Sequence, residues 1–527
     1  MLVRWLACAV LMLAALHAAP ALAGDCQALT GRAIEGARVV SAEVAPAGPM
    51  TTPVPLAAPA TLDLPAFCRV KAIAAGSIGF EVWLPLDGWN NRLLSVGSGG
   101  FGGDLPLNAL AVGLQKGFAV TGNDTGHQGA DPSWMRDPVK VRLWGHSATH
   151  LVTAPSKALV AAYYGAPARW AYFEGCSTGG AQAMTEAQAY PDDYDGLVAG
   201  APGMSYAHLM LSFLWGLKAT EPPGAPIPPD KLQVLHAAVL AACDHDDGLR
   251  DGLISDPETC RFDVASIICG PEDAARNACL TPAEARTARL IYSGPRNRRT
   301  GASIYPGFAY GSEADAAAGA SLAAYGWGAI QGPLAQYFAI PLLRTMVYGD
   351  PDWDWRTFDW DRDVAEVDRR VGGDITALSP DLERFRARGG KLLIHQGWGD
   401  QFNGQDLPIE YRRRVIDAFA ETGGRGHAEA AVDGFMRVFM APGMGHCAGG
   451  PGFADFDALS AVQAWVETGR APDRLLASRP SASGTTPEVR PICAYPGLAR
   501  YVGAGSPADP SSFRCVRGTG ASRGGRP

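Results

Sequence analysis

The stretch from Trp170 to Gly179 constrains this chain more than any other. An apolar run, Trp170 to Phe173, enters Gly175-Cys176-Ser177-Thr178-Gly179 and leaves into the helix-forming run Ala181 to Tyr190. The pattern suits a strand that turns sharply into a helix. Glycines flank the serine because the two backbones come too close for a Cβ, and the turn lifts the hydroxyl clear of the sheet beneath it. The fragment calls for a sheet with helices laid on it, and it offers a nucleophile at the end of one strand.

The rest of the chain supplies such a sheet. Gly79 to Pro85 alternates like a strand, Arg92 to Val96 is a short apolar strand running into glycines, and residues 146–164 carry apolar positions at helical spacing. The texture changes between 206 and 372, where paired cysteines, acidic clusters and Trp215, Trp327, Trp353, Trp355 and Trp360 gather. Strand and helix resume at Lys391 to Ile394, Val438 to Met440 and a helix near 455–468. This predicts an α/β fold interrupted by an inserted domain, with core parts at 24–205 and 373–516 and the insertion at 206–372. Residues 44–65, rich in Pro, Ala and Thr, are predicted to be an extended connection, and the Gly/Arg/Ser-rich residues 517–527 a disordered tail.

Residues 1–23 have the form of a signal peptide: Arg4, an apolar run from Leu6 to Ala19, and Ala21-Leu22-Ala23 as the small-x-small cleavage pattern. Export to the periplasm or the medium is therefore expected, and Cys8 leaves with the signal. The remaining cysteines are an even set, read as disulfides in an oxidising compartment, and no Cys-x2-Cys pair suggests zinc instead. No later stretch is apolar and long enough to span a bilayer. A net charge of −8 without a basic run argues against nucleic acid or an anionic membrane as partner and leaves a small molecule.

A serine nucleophile needs a base and an acid that orients it, in the chain order serine, acid, histidine. The predicted strand Lys391-Leu-Leu-Ile-His395-Gln-Gly-Trp-Gly ends at Asp400, and Val438-Phe-Met-Ala-Pro-Gly-Met-Gly leads to His446-Cys447 on a glycine-rich loop. Ser177, Asp400 and His446 are the candidate triad. Asp406 and Asp433 are less well placed, and His395, inside a strand, reads as a buried structural histidine. Cys176 precedes the serine and Cys447 follows the histidine, so a bridge between them would hold Ser177 and His446 together.

Taken together, Gly-Cys-Ser-Thr-Gly-Gly, His-Gln-Gly-Trp-Gly-Asp and Ala-Pro-Gly-Met-Gly-His-Cys resemble the tannase and feruloyl esterase family, from about Cys26 to Cys515. The resemblance implies an α/β-hydrolase core whose large lid lies between the serine and the acid. It implies a serine carboxylic-ester hydrolase that cleaves esters of aromatic acids, feruloyl, galloyl or related, through an acyl-enzyme. The family's range extends to hydrolases of mono(2-hydroxyethyl) terephthalate. Around the acid the chain reads Gly399 and Gln401-Phe402-Asn403, where many members have an Ala-Asp-Pro version. Ten cysteines allow on the order of a thousand pairings. The family pattern and short loops select Cys176–Cys447, Cys243–Cys260, Cys269–Cys279, Cys26–Cys68 and Cys493–Cys515.

Two loops take their reading from the same resemblance. Gly97-Ser-Gly-Gly-Phe-Gly-Gly103 formally contains Gly-x-Gly-x-x-Gly, but Asp104-Leu-Pro-Leu interrupts any following helix, which disfavours a dinucleotide site. An oxyanion-hole loop is the better reading, with Gly100 and Thr178 as the amide donors. Cys243-Asp244-His-Asp-Asp247-Gly-Leu249-Arg-Asp251-Gly-Leu253 departs from the EF-hand pattern, and on residues alone it reads as a solvated acidic loop. The resemblance reverses this: family lids hold a structural Ca2+ through such a loop, here the side chains of Asp244, Asp247 and Asp251 and the carbonyls of Leu249 and Leu253.

The lid aromatics Tyr325, Trp327, Tyr337, Phe338, Trp353 and Trp355 are candidates to meet a planar acyl group, most of them serving as lid core. Arg344 reads as a lid salt bridge before a substrate contact. His146 and His150 stand four apart like zinc ligands but lack an evident third, so a structural role is favoured. The alternatives are a general esterase, acyltransferase or peptidase on the same core, and a non-catalytic calcium-stabilised binding protein. The ordered triad candidates argue against the last.

Overall fold

The computed structural model describes residues 24–54, 58–129, 131–270, 278–313, 326–420, 424–481 and 486–518. The signal segment, Tyr325 and residues 519–527 lie outside them. Ten strands form one sheet in the order Ala33–Ile34, Ala37–Ala45, Phe67–Ala74, Ile78–Pro85, Ala119–Asn123, Arg92–Val96, Trp170–Cys176, Gly196–Gly200, Lys391–Gly397 and Met436–Ala441. The first members pair antiparallel up to Ala119–Asn123, and from there to Met436–Ala441 every pairing is parallel.

The parallel strands are apolar on both faces because helices cover both. In Trp170–Cys176, Ala171 and Phe173 point into the same apolar cluster as Ala183, Met184 and Ala187 of the helix Thr178–Ala189. Tyr172, between them, points into the cluster of Leu459 and Val462 on the helix Ala458–Thr468 and of Leu110 and Leu114 on Leu107–Gln115. Leu197 and Ala199 repeat the alternation against Val198, as Leu392 and Ile394 do against Leu393.

The chain runs from Arg92–Val96 outward to Ala119–Asn123 and then returns to Trp170–Cys176 on the other side. Strand order thus reverses between Arg92–Val96 and Trp170–Cys176, and the carboxyl ends of such strands are where open α/β sheets bind ligands. The glycine loop leaves one of these ends and Ser177 the other.

The insertion lies between Gly196–Gly200 and Lys391–Gly397 and begins with the helix Tyr206–Ala219. It does not stand apart from the sheet. Trp327, Leu334, Leu342 and Trp360 are buried in the same apolar cluster as Phe173 and Ile394. Thr281 and Glu284 form a reciprocal capping box on the lid helix Pro282–Ser293. Four bridges are local: Cys26–Cys68, Cys243–Cys260, Cys269–Cys279 and Cys493–Cys515.

Two segments differ from expectation. Within 44–65, Gly48–Thr52 and Ala60–Leu64 pair antiparallel as a small sheet packed beside Leu107–Gln115. Leu64 and Met50 supply the apolar contacts that a composition rich in Pro and Ala obscures. Arg517 belongs to the strand Phe513–Arg517, paired with Gly497–Tyr501, so the ordered core extends past 516. Among the described residues no helix is long and apolar enough to cross a membrane.

Candidate active site

Ser177 sits between the strand Trp170–Cys176 and the helix Thr178–Ala189 with φ 62° and ψ −118°, a conformation L-residues rarely adopt. Its backbone is held on both sides. The N–H donates to the Gly200 carbonyl at 2.9 Å, and its own carbonyl accepts from Ala181 and Gly203 N–H, both at 3.0 Å. A Cβ on Gly175 would lie 2.5 Å from the Gly179 backbone, and one on Gly180 2.3 Å from the Gly200 carbonyl oxygen. The glycines are therefore steric requirements of the turn.

Asp400 is fully buried just beyond the strand Lys391–Gly397, and its carboxylate gathers four donors. Oδ1 accepts the N–H groups of Phe402 (2.7 Å) and Asn403 (3.0 Å); Oδ2 accepts Gln396 Nε2 (2.8 Å) and faces His446 Nδ1 at 2.9 Å. The Phe402 ring stacks on the His446 imidazole, centroids 4.5 Å apart and planes 21° from parallel. With Nδ1 committed to Asp400 and one ring face covered, the imidazole is left with Nε2 as its second functional edge. Asp433 pairs with Arg412, and Asp406 accepts from Glu410 N–H at the start of Leu407–Ala420. His395 is buried in its strand against Phe456, and burial pushes its imidazole down to about 4, so it stays neutral.

Cys176 and Cys447 are bonded, with Cα atoms 5.9 Å apart. Ser177 and His446 are their immediate chain neighbours. The bridge closes 271 residues, which in isolation would stabilise the fold by about 5–6 kcal/mol on the chain-entropy model, less with other bridges nested inside it.

The loop from Gly97 to Gly103 is strapped to this elbow. Gly97 N–H donates to Glu174 carbonyl, Ser98 N–H to Gln182 Oε1, and Thr178 Oγ1 to the Gly100 carbonyl at 2.7 Å. Gly100 has φ 53°. Among the described residues neither the Gly100 N–H nor the Thr178 N–H has an acceptor. Two unspent amides thus lie beside the serine, the raw material of an oxyanion site.

Of the lid aromatics, Trp327 and Trp355 are buried in lid core, Trp353 stacks on Tyr348 at 4.3 Å, and Tyr337 is 60% exposed. Phe338 borders the site: its ring edge lies 3.6 Å from where a Gly100 Cβ would be, and it packs against Phe101 and Phe213. Phe213 in turn meets Phe402 edge-on at 6.5 Å. Phe101, Phe213 and Phe402 escape a reading of the sequence. Phe402, two residues past the acid, is the one whose position offers a signal. Arg344 donates to the Trp353 carbonyl within the lid.

The acidic loop follows the lid helix Pro229–Cys243. Asp244 accepts the N–H groups of Asp251 and Gly252, Asp247 those of Leu249 and the Ser255 hydroxyl, and Asp251 pairs with Arg490. Burial raises the Asp247 carboxyl, with Asp251 adding to the rise, and Asp256 is pushed up to about 6 by burial and then by Glu258. The Leu249 and Leu253 carbonyls accept no hydrogen bond among the described residues. The loop offers carboxylate and unspent carbonyl oxygens, the donor type that calcium takes, although among the described residues its three aspartates do not draw their carboxylates within 4.8 Å of one another.

A mixed sheet of this order, with a strand-turn-helix serine at its reversal point, defines an α/β-hydrolase-type protein. The chain belongs to the tannase and feruloyl esterase family, whose model matches residues 64–516, and is a carboxylic-ester hydrolase. An uncharacterized esterase of Xanthomonas campestris pv. campestris is 36% identical, covering 93% of this chain and 91% of its own length. A probable feruloyl esterase B-1 of Neosartorya fischeri is 30% identical over 85% and 86%. The crystal structure of feruloyl esterase B from Aspergillus oryzae superposes with a TM-score of 0.80 at 29% identity, covering 92% of this chain and 98% of that one. Tannin acyl hydrolase from Aspergillus niger, at 20% identity over 95% and 96%, shares the fold with a TM-score of 0.77.

Proposed function

We propose that the protein is an exported serine esterase acting on small esters of aromatic acids. The observation that carries the mechanism is the Asp400–His446 hydrogen bond tied by the Cys176–Cys447 bridge to the Ser177 elbow. Ser177 Oγ attacks the ester carbonyl carbon while His446 Nε2 takes its proton, and the carbonyl oxygen becomes an oxyanion held by the Gly100 and Thr178 amides. Collapse of the tetrahedral intermediate breaks the bond to the alkoxy oxygen, which leaves as alcohol with the proton from His446. Water then adds to the acyl carbonyl carbon and gives a proton to His446, and collapse of this second intermediate breaks the bond to Ser177 Oγ, which takes the proton back from His446 as the acid leaves. Asp400 keeps Nδ1 protonated and stabilises the imidazolium in both halves.

Specificity for an aromatic acyl group is supported by the rings bordering the site, Phe338 over the Gly100 loop, Phe213 beside it and Phe402 on His446. Each ring contact contributes about 0.5–1.5 kcal/mol beyond area burial. Methyl esters of hydroxybenzoic and hydroxycinnamic acids are therefore expected to show kcat/KM about 10- to 100-fold above methyl esters of aliphatic acids. Long-chain lipids are expected to be poor substrates. Equal or higher kcat/KM on the aliphatic esters would leave a general esterase.

Calcium is the proposed structural ion of the acidic loop, held by Asp244, Asp247 and Asp251 side chains with the Leu249 and Leu253 carbonyls. An ion bound only by the folded lid stabilises by mass action, so chelation is expected to lower Tm. Asp251→Ala lowers Tm itself, by leaving Arg490 unpaired, and should abolish the chelator-dependent part. A melting curve indifferent to chelator, with no calcium in elemental analysis, would restore the solvated-loop reading.

A further inference from the structure

His150, Glu186 and Asp193 converge from separate elements. His150 lies on the helix Ala148–Tyr164, Glu186 on the last turn of Thr178–Ala189, and Asp193 in the turn before Gly196–Gly200. One ligand-capable atom of each lies within 4.8 Å of the other two. His150 Nδ1 is 2.6 Å from Asp193 Oδ2.

Glu186 sets this cluster apart from a surface ion pair. It is 1% exposed, neither of its carboxylate oxygens accepts from an N–H or O–H donor among the described residues, and its side-chain neighbour is the Asp193 carboxylate. A buried carboxylate must be neutralised, paired or bound to a metal. The neighbouring cations are otherwise engaged: Lys157 Nζ donates to the Asp193 main-chain carbonyl, and Arg388 pairs with Asp195. Burial and then Asp193 raise the Glu186 carboxyl well above the usual range.

The ring of His150 is fixed for ligation. Tyr190 stacks on it at 3.8 Å, planes 5° apart, and the Tyr190 hydroxyl meets His146 Nδ1 at 2.9 Å. His146 and His150 are thus not two ligands of one ion: His146 orients Tyr190, and Tyr190 orients His150. The further donors come from Glu186 and Asp193, far from both histidines in sequence. His150 is partly open to solvent, which gives an ion a way in.

We propose that His150, Glu186 and Asp193 form a binding site for a divalent transition-metal ion of the Zn2+ type. One imidazole nitrogen and two carboxylates suit zinc, with water as fourth ligand, and are a poor set for calcium, which prefers more oxygens. A bound ion supplies the counter-charge that the two crowded carboxylates lack. Glu186 lies about 12 Å along its helix from Thr178, so the ion has no part in ester cleavage. It pins the far end of the nucleophile-bearing helix to the helix beside it.

The test is equilibrium dialysis of the full chain, stripped by chelator, against Zn2+ near neutral pH, with metal counted by atomic emission. Wild type is expected to hold one zinc equivalent more than Glu186→Gln and His150→Ala, and Asp251→Ala to hold as much as wild type. Glutamine matches a protonated Glu186 in shape, so Glu186→Gln should melt like metal-free wild type but lose the rise in Tm that Zn2+ gives the parent. Dialysis against Ca2+ should show no difference between Glu186→Gln and wild type. Equal zinc in wild type and both site variants, or none in any, would overturn the proposal and leave a protonated Glu186 beside Asp193.

Discussion

Ser177→Ala is expected to lower kcat/KM on an aryl ester by about 10^6-fold, the scale at which loss of the nucleophile disables a triad. The fold should survive, because the bonds that hold the elbow use the Ser177 main chain, with Gly200, Ala181 and Gly203 as partners. Ser177→Gly sharpens the expectation. A side chain at φ 62°, ψ −118° is held against its preference at a cost of order 1–3 kcal/mol. The glycine variant should therefore melt above Ser177→Ala while being equally inactive. Far-UV circular dichroism and a chromogenic-ester assay on both variants decide the matter, and near-wild-type turnover by either would remove the mechanism.

Asp400→Asn is expected to cost about 10^4-fold in kcat/KM, because an amide cannot hold His446 in the Nδ1-protonated tautomer. The surroundings add a second penalty. Every neighbour of the carboxylate is a donor, Phe402 and Asn403 N–H on one oxygen, Gln396 and His446 on the other. An Asn NH2 group must face one of these pairs, which leaves buried donors unsatisfied at about 1–3 kcal/mol and lowers Tm. Asp433→Asn loosens only the contact to Arg412, and Asp406→Asn changes a residue at a helix start, so both should stay within several-fold of wild type. A larger loss in Asp433→Asn than in Asp400→Asn would reassign the acid.

What the sequence discloses of this fold follows from how local each signal is. The strand before Ser177 and the helix after it are legible because glycine is needed on both sides and apolar residues fill both faces of the strand. The candidate acid and base are legible as strand-end residues in the right order. Gln396, which donates to Asp400 from the strand that leads to it, is invisible in sequence because its direction depends on the pleat. Phe338 and Phe213 are lid residues like many others until the lid is packed on the sheet. The reading of His146 and His150 stops for want of a third donor, since Glu186 and Asp193 reach His150 only through tertiary packing. The small sheet of Gly48–Thr52 with Ala60–Leu64 is hidden by a composition that signals a linker.

The bridge beside the catalytic candidates also fixes an order of events during synthesis. Four of the five cystines join residues no more than 42 apart, so their partners emerge almost together. Cys176 must wait for 271 further residues before Cys447 exists, and in that interval Cys243, Cys260, Cys269 and Cys279 pass by as competing thiols. Rapid closure of the short loops takes those competitors out of circulation. On the proposed mechanism activity thus becomes a late event, gained only once the chain has been made through Cys447, and until then the elbow serine has no base beside it. On that mechanism the chemistry of this hydrolase begins only once Cys447 has joined Cys176.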